Sequence, residues 1–216
     1  MLLPLNLRPI RLSRRSEPFD SELFLFELKI DGFRALAFIE NSDCQLVSRN
    51  GHVFRGFADL ARWIAEHLRV QSAVLDGEIA CVDECGRPVF RDLLFRRQQC
   101  VFISFDLLFL NGKDLRILPL FERKVELKKL LKRGKRSRML YLDHVEGDGR
   151  LLFEQIVAMD LEGIVAKRKD SRYRVTEQPS RDWIKIKNPA YSQAEGRGEM
   201  FDELCGVTKA ATNAAE

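Results

Sequence analysis

Glu27-Leu28-Lys29-Ile30-Asp31-Gly32-Phe33-Arg34 is the stretch on which the reading of this chain turns. Residues 23–28 before it, rich in Leu and Phe, read as a strand, and residues 35–40 after it read as a second. Asp-Gly between two apolar runs favours a two-residue hairpin turn. That register sets Ile30 opposite Phe33 and Lys29 opposite Arg34, with Glu27 on the same face as Lys29. Two cations directly opposite each other destabilise a sheet unless an anion lies beside them. A polyphosphate near Glu27 would resolve the conflict, and so would solvation of an exposed hairpin, so the rest of the chain has to decide.

The chain has 216 residues, 45% hydrophobic and 31% charged, enough to bury a substantial core in one large domain or two small ones. No apolar run approaches the roughly 20 residues that span a bilayer, and residues 1–9 are too short and proline-broken for a secretory leader. No membrane partner is expected. The five cysteines (Cys44, Cys81, Cys85, Cys100, Cys205) form no CxxC pair, and none of the three histidines lies at ligand spacing from a cysteine. This argues against a disulfide scaffold or a zinc site and predicts reduced thiols in the cytoplasm. The net charge is only +4, but nine Lys and Arg residues between 122 and 138 meet two glutamates. A second basic cluster is formed by Arg8, Arg11, Arg14 and Arg15. Both fit a polyanion such as nucleic acid, or a solvated helix face and loop.

Read in order, residues 1–20 are expected to be an irregular arm. Residues 44–49 form a short strand ending in Ser48-Arg49-Asn50-Gly51, a turn signal that leaves Arg49 beside a loop. Phe57, Leu60, Ala61, Ile64 and Leu68 recur at helical spacing. In Leu75-Asp76-Gly77-Glu78-Ile79, either Asp76-Gly77 is a plain turn or Glu78 is aimed into a site. Residues 101–110 are apolar on both faces except at Ser104 and Asp106, which marks a central strand whose Asp106 needs a partner. Phe121, Val125, Leu127, Leu130 and Leu131 suggest a helix stripe, residues 139–145 a strand and residues 150–159 a short helix. A strand over 161–169 and the alternation Trp183-Ile184-Lys185-Ile186-Lys187, with both lysines on one face, complete an α+β pattern.

Six separated signals then stand in one order: Lys-Ile-Asp-Gly-Phe-Arg (29–34), Ser-Arg-Asn-Gly (48–51), Leu-Asp-Gly-Glu (75–78), Phe-Asp-Leu-Leu (105–108), Glu-Gly-Ile-Val-Ala-Lys (162–167) and Trp-Ile-Lys-Ile-Lys (183–187). This resembles the covalent nucleotidyltransferases, most closely the adenylation domain of bacterial ATP-dependent DNA ligases of the end-joining type. The resemblance runs from about residue 8 to 189 and implies an ATP-grasp-like fold of antiparallel sheets flanked by helices. Mg²⁺ and ATP are the implied cofactors, with ATP as AMP donor; no Walker-type phosphate loop is present. The first motif is shared with mRNA capping enzymes and RNA ligases, so an RNA-directed enzyme is an alternative, as is a nucleotide-binding module without full ligation.

The resemblance assigns roles to the residues that looked electrostatically awkward. Lys29 would be the nucleophile, attacking the α-phosphate of ATP to leave a lysyl-AMP phosphoramidate. The amine must shed its proton first, and the neighbouring cations Arg34, Lys185 and Lys187 would favour that. Glu27 would read the adenine amino group with the Leu28 backbone beside it. Phe105 would stack on one face of the base, and Ile164 or Val165 would pack on the other. Arg34 and Glu78 would hold the ribose and Arg49 a phosphate, while Lys185 and Lys187 would bind the α-phosphate. Glu162, with Glu78 or Asp31 as helpers, would hold Mg²⁺. AMP would then pass to the 5′-phosphate of nicked or broken DNA. The domain is expected to span 1–189, followed by a polar tail over 190–216. Ligases of this type continue into an oligonucleotide-binding barrel, the OB-fold, for which that tail is too short. A separate protein supplying an OB-fold or end-binding function is therefore an expected partner.

Overall fold

The two strands that flank Asp31-Gly32 do not pair with each other. The computed structural model describes residue 3 and residues 7–83, 88–95, 99–131 and 137–194. Its elements are β1 Leu12–Arg15, β2 Ser21–Leu28, β3 Phe33–Glu40, β4 Asp43–Ser48, α1 Ala58–His67, β5 Ser72–Ala80, α2 Phe90–Phe95 and β6 Val101–Leu110. They continue as β7 Lys113–Asp114, α3 Leu120–Leu130, β8 Met139–Tyr141, β9 Val145–Gly147, α4 Gly149–Ala158, β10 Gly163–Arg168 and β11 Ser180–Lys187. One sheet has five strands in the order β1-β11-β10-β2-β9; the other has six, in the order β4-β3-β5-β6-β7 with β8 also on β6. Strand pairing is antiparallel except for β1 with β11 and β6 with β8.

The expected hairpin is thus a crossover between sheets. Lys29 does not face Arg34; Arg34 lies opposite Glu78 of β5. Gly32 has no positive φ, which a hairpin turn of this type would require. Its missing side chain serves a different end: a Cβ there would sit 2.3 Å from the Ile79 carbonyl oxygen, so glycine lets the chain pass tightly over β5. A two-residue turn does occur one strand later, between β3 and β4, where Asn41 and Ser42 have φ of 51° and 63°.

Three further expectations change. Residues 12–15 of the arm form β1 beside β11, and Ile10 is buried, so the arm is part of the fold. Asp76-Gly77 is no turn but the middle of β5. The single strand expected over 139–145 is two short strands, β8 and β9, that join different sheets. Residues 195–216 of the expected tail, and Cys85 and Cys205, lie outside the described residues. Cys44, Cys81 and Cys100 are buried thiols. No helix among the described residues is long and apolar enough to cross a membrane.

The sheets pack face to face through Leu25 and Trp183 from one and Leu36, Phe38, Val74 and Phe105 from the other. Phe26, Ile164 and Ile186 face the opposite way and are covered by α4 through Ile156. On the far side of the second sheet, Leu60 and Ile64 of α1 and Leu127 of α3 pack on Ala37, Leu75 and Leu107. This layering follows from period-two alternation in strands that are covered on both sides.

The basic stretch after residue 121 behaves unlike a solvated face. Leu120, Arg123, Lys124 and Leu127 form the buried side of α3, while Phe121 and Val125 of the expected apolar stripe are about half exposed. Arg123 and Asp106, both with fully buried side chains, form a two-pronged ion pair: Nε to Oδ1 and Nη2 to Oδ2, each 2.8 Å. Arg138 is also buried, donating to the Cys100 carbonyl and to Asp59. Three of the nine cations therefore hold the fold together rather than face a partner, and residues 132–136 lie outside the described residues.

Candidate active site

Where the inter-sheet core ends, it opens into a cleft of about 530 Å³. The first sheet contributes side chains in cross-strand rows. Leu25, Lys167 and Trp183 form one row across β2, β10 and β11, and Glu27, Val165 and Lys185 form the next. Beyond them the Lys29 amide donates to the Gly163 carbonyl (2.9 Å), and Gly163 lies opposite Lys187. Gly163 has φ of +143°, and a Cβ on it would sit 2.2 Å from the Ile186 carbonyl oxygen, so this row requires glycine. The second sheet supplies Arg34, Glu78 and Phe105.

The structure brings nine of the sequence-predicted residues to this cleft: Glu27, Leu28, Lys29, Arg34, Arg49, Glu78, Phe105, Val165 and Lys185. Of the pair Ile164 or Val165, alternation puts Val165 in the cleft and Ile164 in the core under α4. Lys187 does not line the cleft; its Nζ lies 3.3 Å from Glu162 Oε1. Asp31 is buried and accepts a hydrogen bond from the Tyr191 hydroxyl at 2.7 Å, away from the cleft lining. Among the described residues no three His, Cys, Asp or Glu side chains converge as a metal cage, so Asp31 does not join Glu78 and Glu162.

Charge in the cleft is arranged in three connected units. Lys29 Nζ donates to Glu162 Oε2 at 2.6 Å, and Glu162 is itself nearly buried, so the predicted metal ligand is the direct partner of the predicted nucleophile. Burial raises the Glu78 carboxyl to about 8; Lys29 and Arg34 oppose that rise, while Asp76 and Glu162 add to it. The Arg34 guanidinium clasps Asp76 (Nε 3.1 Å, Nη2 2.8 Å) and donates to the Ile10 carbonyl at 2.7 Å. Tyr173 donates to the same Asp76 at 2.6 Å. Burial lowers the Arg34 pKa and Asp76 raises it, with the net direction upward, so this cation is permanent. The third unit is Glu27, only 1% exposed, with Lys124 Nζ at 2.5 Å from Oε1 and Lys167 Nζ at 2.5 Å from Oε2. Burial pushes the Glu27 carboxyl up, but the two ammonium groups outweigh it and hold it below the ordinary carboxylate range.

The sequence alone gives Lys167 and Lys124 no role in the site. Lys167 was legible: it ends the Glu-Gly-Ile-Val-Ala-Lys string and shares the phase of Val165. Its ammonium lies 4.0 Å from the Phe105 ring centre and 4.1 Å from that of Trp183, and burial brings it down to about 8. Lys124 carried no local signal, because it stands in a run of cations on a different element. Lys185 is lowered by desolvation first and then by Lys187, Lys29 and Arg14. A buried carboxylate, aromatic and aliphatic side chains, the Lys29 amine and a second lysine, Lys185, thus line one cleft.

The family model for the ATP dependent DNA ligase domain matches residues 12–187. The chain belongs to that family. The multifunctional non-homologous end joining protein LigD of Pseudomonas aeruginosa is 34% identical over 167 residues, covering 75% of this chain and 20% of that protein. The bifunctional LigD of Bacillus subtilis is 30% identical over 215 residues, covering 85% of this chain and 34% of that protein. This ligase-domain chain thus spans a fifth to a third of the length of these curated relatives. A mycobacterial DNA ligase D solved with ATP and MES superposes with a TM-score of 0.73 at 28% identity, covering 87% of this chain and 62% of that one. The α+β nucleotidyltransferase fold read from the sequence is therefore the fold of the ligase domain.

Proposed function

We propose that this chain carries out the adenylation step of an ATP-dependent DNA ligase, with Lys29 as the nucleophile. The observation that carries the reading is the Lys29 side chain lining the cleft with its amine 2.6 Å from Glu162, in a chain of the ligase-domain family. Glu162 holds the ammonium and is the nearest base for the proton that the amine must lose. The neutral Nζ then attacks the α-phosphorus of ATP. An N–P bond forms, the bond from the α-phosphorus to the bridging oxygen breaks, and pyrophosphate leaves. Lys185 balances charge building on the α-phosphoryl oxygens, and Lys187 supports it from beyond Glu162. Glu27 accepts from the adenine amino group with the Leu28 backbone beside it. Phe105 and Val165 contact the base, Arg34 and Glu78 the ribose, and Arg49 a phosphate.

Glu162 and Glu78 suit Mg²⁺, an ion held in such sites by one or two carboxylates together with substrate phosphates. When bound, it would neutralise phosphate charge. In the later steps a DNA 5′-phosphate oxygen attacks the lysyl-AMP, freeing Lys29, and the 3′-hydroxyl then displaces AMP to seal the strand. We assign nicked or broken double-stranded DNA as the substrate and the cytoplasm as the compartment. A DNA-clamping part of OB-fold or end-binding type would be needed besides this cleft for sealing.

Incubation with Mg²⁺ and α-labelled ATP, followed by denaturation, tests the reading. Label on the wild-type chain that is absent from Lys29→Ala is the expected result. No label on the wild type at any ATP concentration or pH refutes the adenylation role, and label from GTP alone moves the reading to a capping-type enzyme. Pre-adenylated nicked DNA, compared with nicked RNA, then tests sealing and the choice of nucleic acid.

A further inference from the structure

Lys124 lies in the second turn of α3, is 2% exposed and does not line the nucleotide cleft. Its ammonium reaches Glu27 from behind. It donates to Glu27 Oε1 at 2.5 Å and to the Leu142 carbonyl at 2.9 Å, and lies 4.6 Å from the Tyr141 ring centre. On its other side is a second cavity of about 300 Å³, which it lines with Tyr141 and His144. Lys167 takes the other Glu27 oxygen, but it is gripped mainly between the Phe105 and Trp183 rings. Lys124 is therefore the cation that ties Glu27 to a helix and to the Leu142 backbone at once.

An ionised carboxylate is a pure acceptor with two lone-pair sites on each oxygen. One site on each oxygen faces a lysine, so acceptor capacity remains for the cleft. An amino group can donate to it, whereas a carbonyl at the same place on a purine meets lone pairs with lone pairs. A protonated carboxyl would donate to that carbonyl and erase the distinction. With only Lys167 left as a partner, burial would favour the protonated acid.

We infer that Lys124 is a positioning residue that sets base specificity: it holds Glu27 as an oriented, ionised acceptor, so that a 6-aminopurine nucleotide is selected over a 6-oxopurine one. This rests on the adenine-reading role of Glu27 proposed above, and adds to it a residue on a different element that never touches the nucleotide.

The test is self-labelling by α-labelled ATP and by α-labelled ITP, which differs at the 6-position of the purine, in wild type, Lys124→Met, Lys124→Arg and Glu27→Gln. Wild type should favour ATP. Lys124→Met should reduce the ATP-to-ITP ratio of kcat/KM by about tenfold or more, the effect of mispairing one buried hydrogen-bonding group. The loss should fall mainly on KM for ATP, and Lys124→Arg should restore part of the ratio. In the Glu27→Gln background, adding Lys124→Met should leave the ratio unchanged. A merely structural lysine would slow labelling by both nucleotides equally. An unchanged ratio in Lys124→Met, or an equal further drop in the Glu27→Gln background, overturns the inference while leaving adenylation intact. Absence of any label on the wild type overturns both. If Lys124→Met does not fold, Lys124→Gln, which removes the charge but keeps a donor for Leu142, gives the same reading.

Discussion

Replacing Arg123 by Met would test whether the basic face of α3 is structural. The Arg123 side chain is fully buried and uses four of its five N–H donors: two on Asp106, one on the Leu118 carbonyl at 2.6 Å and one on the Ser171 carbonyl at 3.0 Å. Methionine fills much of the space but leaves Asp106 buried with, among the described residues, only the Leu107 amide as a donor on Oδ1. Breaking a buried pair by removing one partner costs about 3–5 kcal/mol. For a chain of this size each kcal/mol lowers Tm by about 2–4 °C, so a fall of about 6–20 °C is expected. Lys129→Met, on the exposed face and paired among the described residues only with Glu126 one turn back, should change stability by at most about 0.5 kcal/mol. Thermal unfolding followed by circular dichroism measures both. A double variant, Asp106→Leu with Arg123→Met, removes the stranded charge and should recover much of the loss. An Arg123→Met chain melting within about 2 °C of wild type would refute the argument and return the segment to a solvated face.

Two other perturbations address the crossover and the clamped carboxylate. Gly32→Ala would drive a Cβ to 2.3 Å from the Ile79 carbonyl oxygen and 2.8 Å from Glu78 Cγ, at an overpacking cost of about 1–3 kcal/mol. Because Glu78 and Arg34 move with it, adenylation should fall further than stability; a variant with unchanged labelling and Tm would contradict the close approach. Glu27 has a folded-state pKa below its unfolded value, so its contribution is complete above the unfolded value near ~4.3 and disappears as pH falls through the folded one. Glu27→Gln should therefore be less stable than wild type at pH 7, with the gap in Tm narrowing toward pH 3. A gap independent of pH would show that the ion pairs do not supply it.

Much of the site was legible because it is built on strands. Period-two alternation placed Lys185 and Lys187 on one face without any knowledge of which strands pair, whereas only the tertiary structure chose Val165 over Ile164 and Lys185 over Lys187 for the cleft lining. The separated motif strings also predicted that Lys29, Arg34, Glu78 and Phe105 belong to one site, although Phe105 comes 76 positions after Lys29. Asp31-Gly32 is a crossover rather than the expected hairpin turn, and the sequence hides this for a definite reason. A hairpin and a tight crossover share one local signature, an apolar run, Asp-Gly and another apolar run. Only the partners on either side, β10 for β2 and β5 for β3, distinguish them.

The sequence by itself determined the alternation of the strands, the order of the motifs and the α+β class, and it singled out Lys29 as the candidate amine. It also showed that Asp106, in an otherwise apolar strand, would need a partner. Only the tertiary structure decided which cations answer Asp106 and Glu27. Arg123 and Lys124 are adjacent residues on one helix, yet Arg123 answers Asp106 only 17 positions before it, while Lys124 joins Lys167 on Glu27, 97 positions away. A lysine in solvent and a lysine burying its charge against a distant glutamate have the same local sequence; the difference is the Coulomb attraction and desolvation that exist only once the helix has docked.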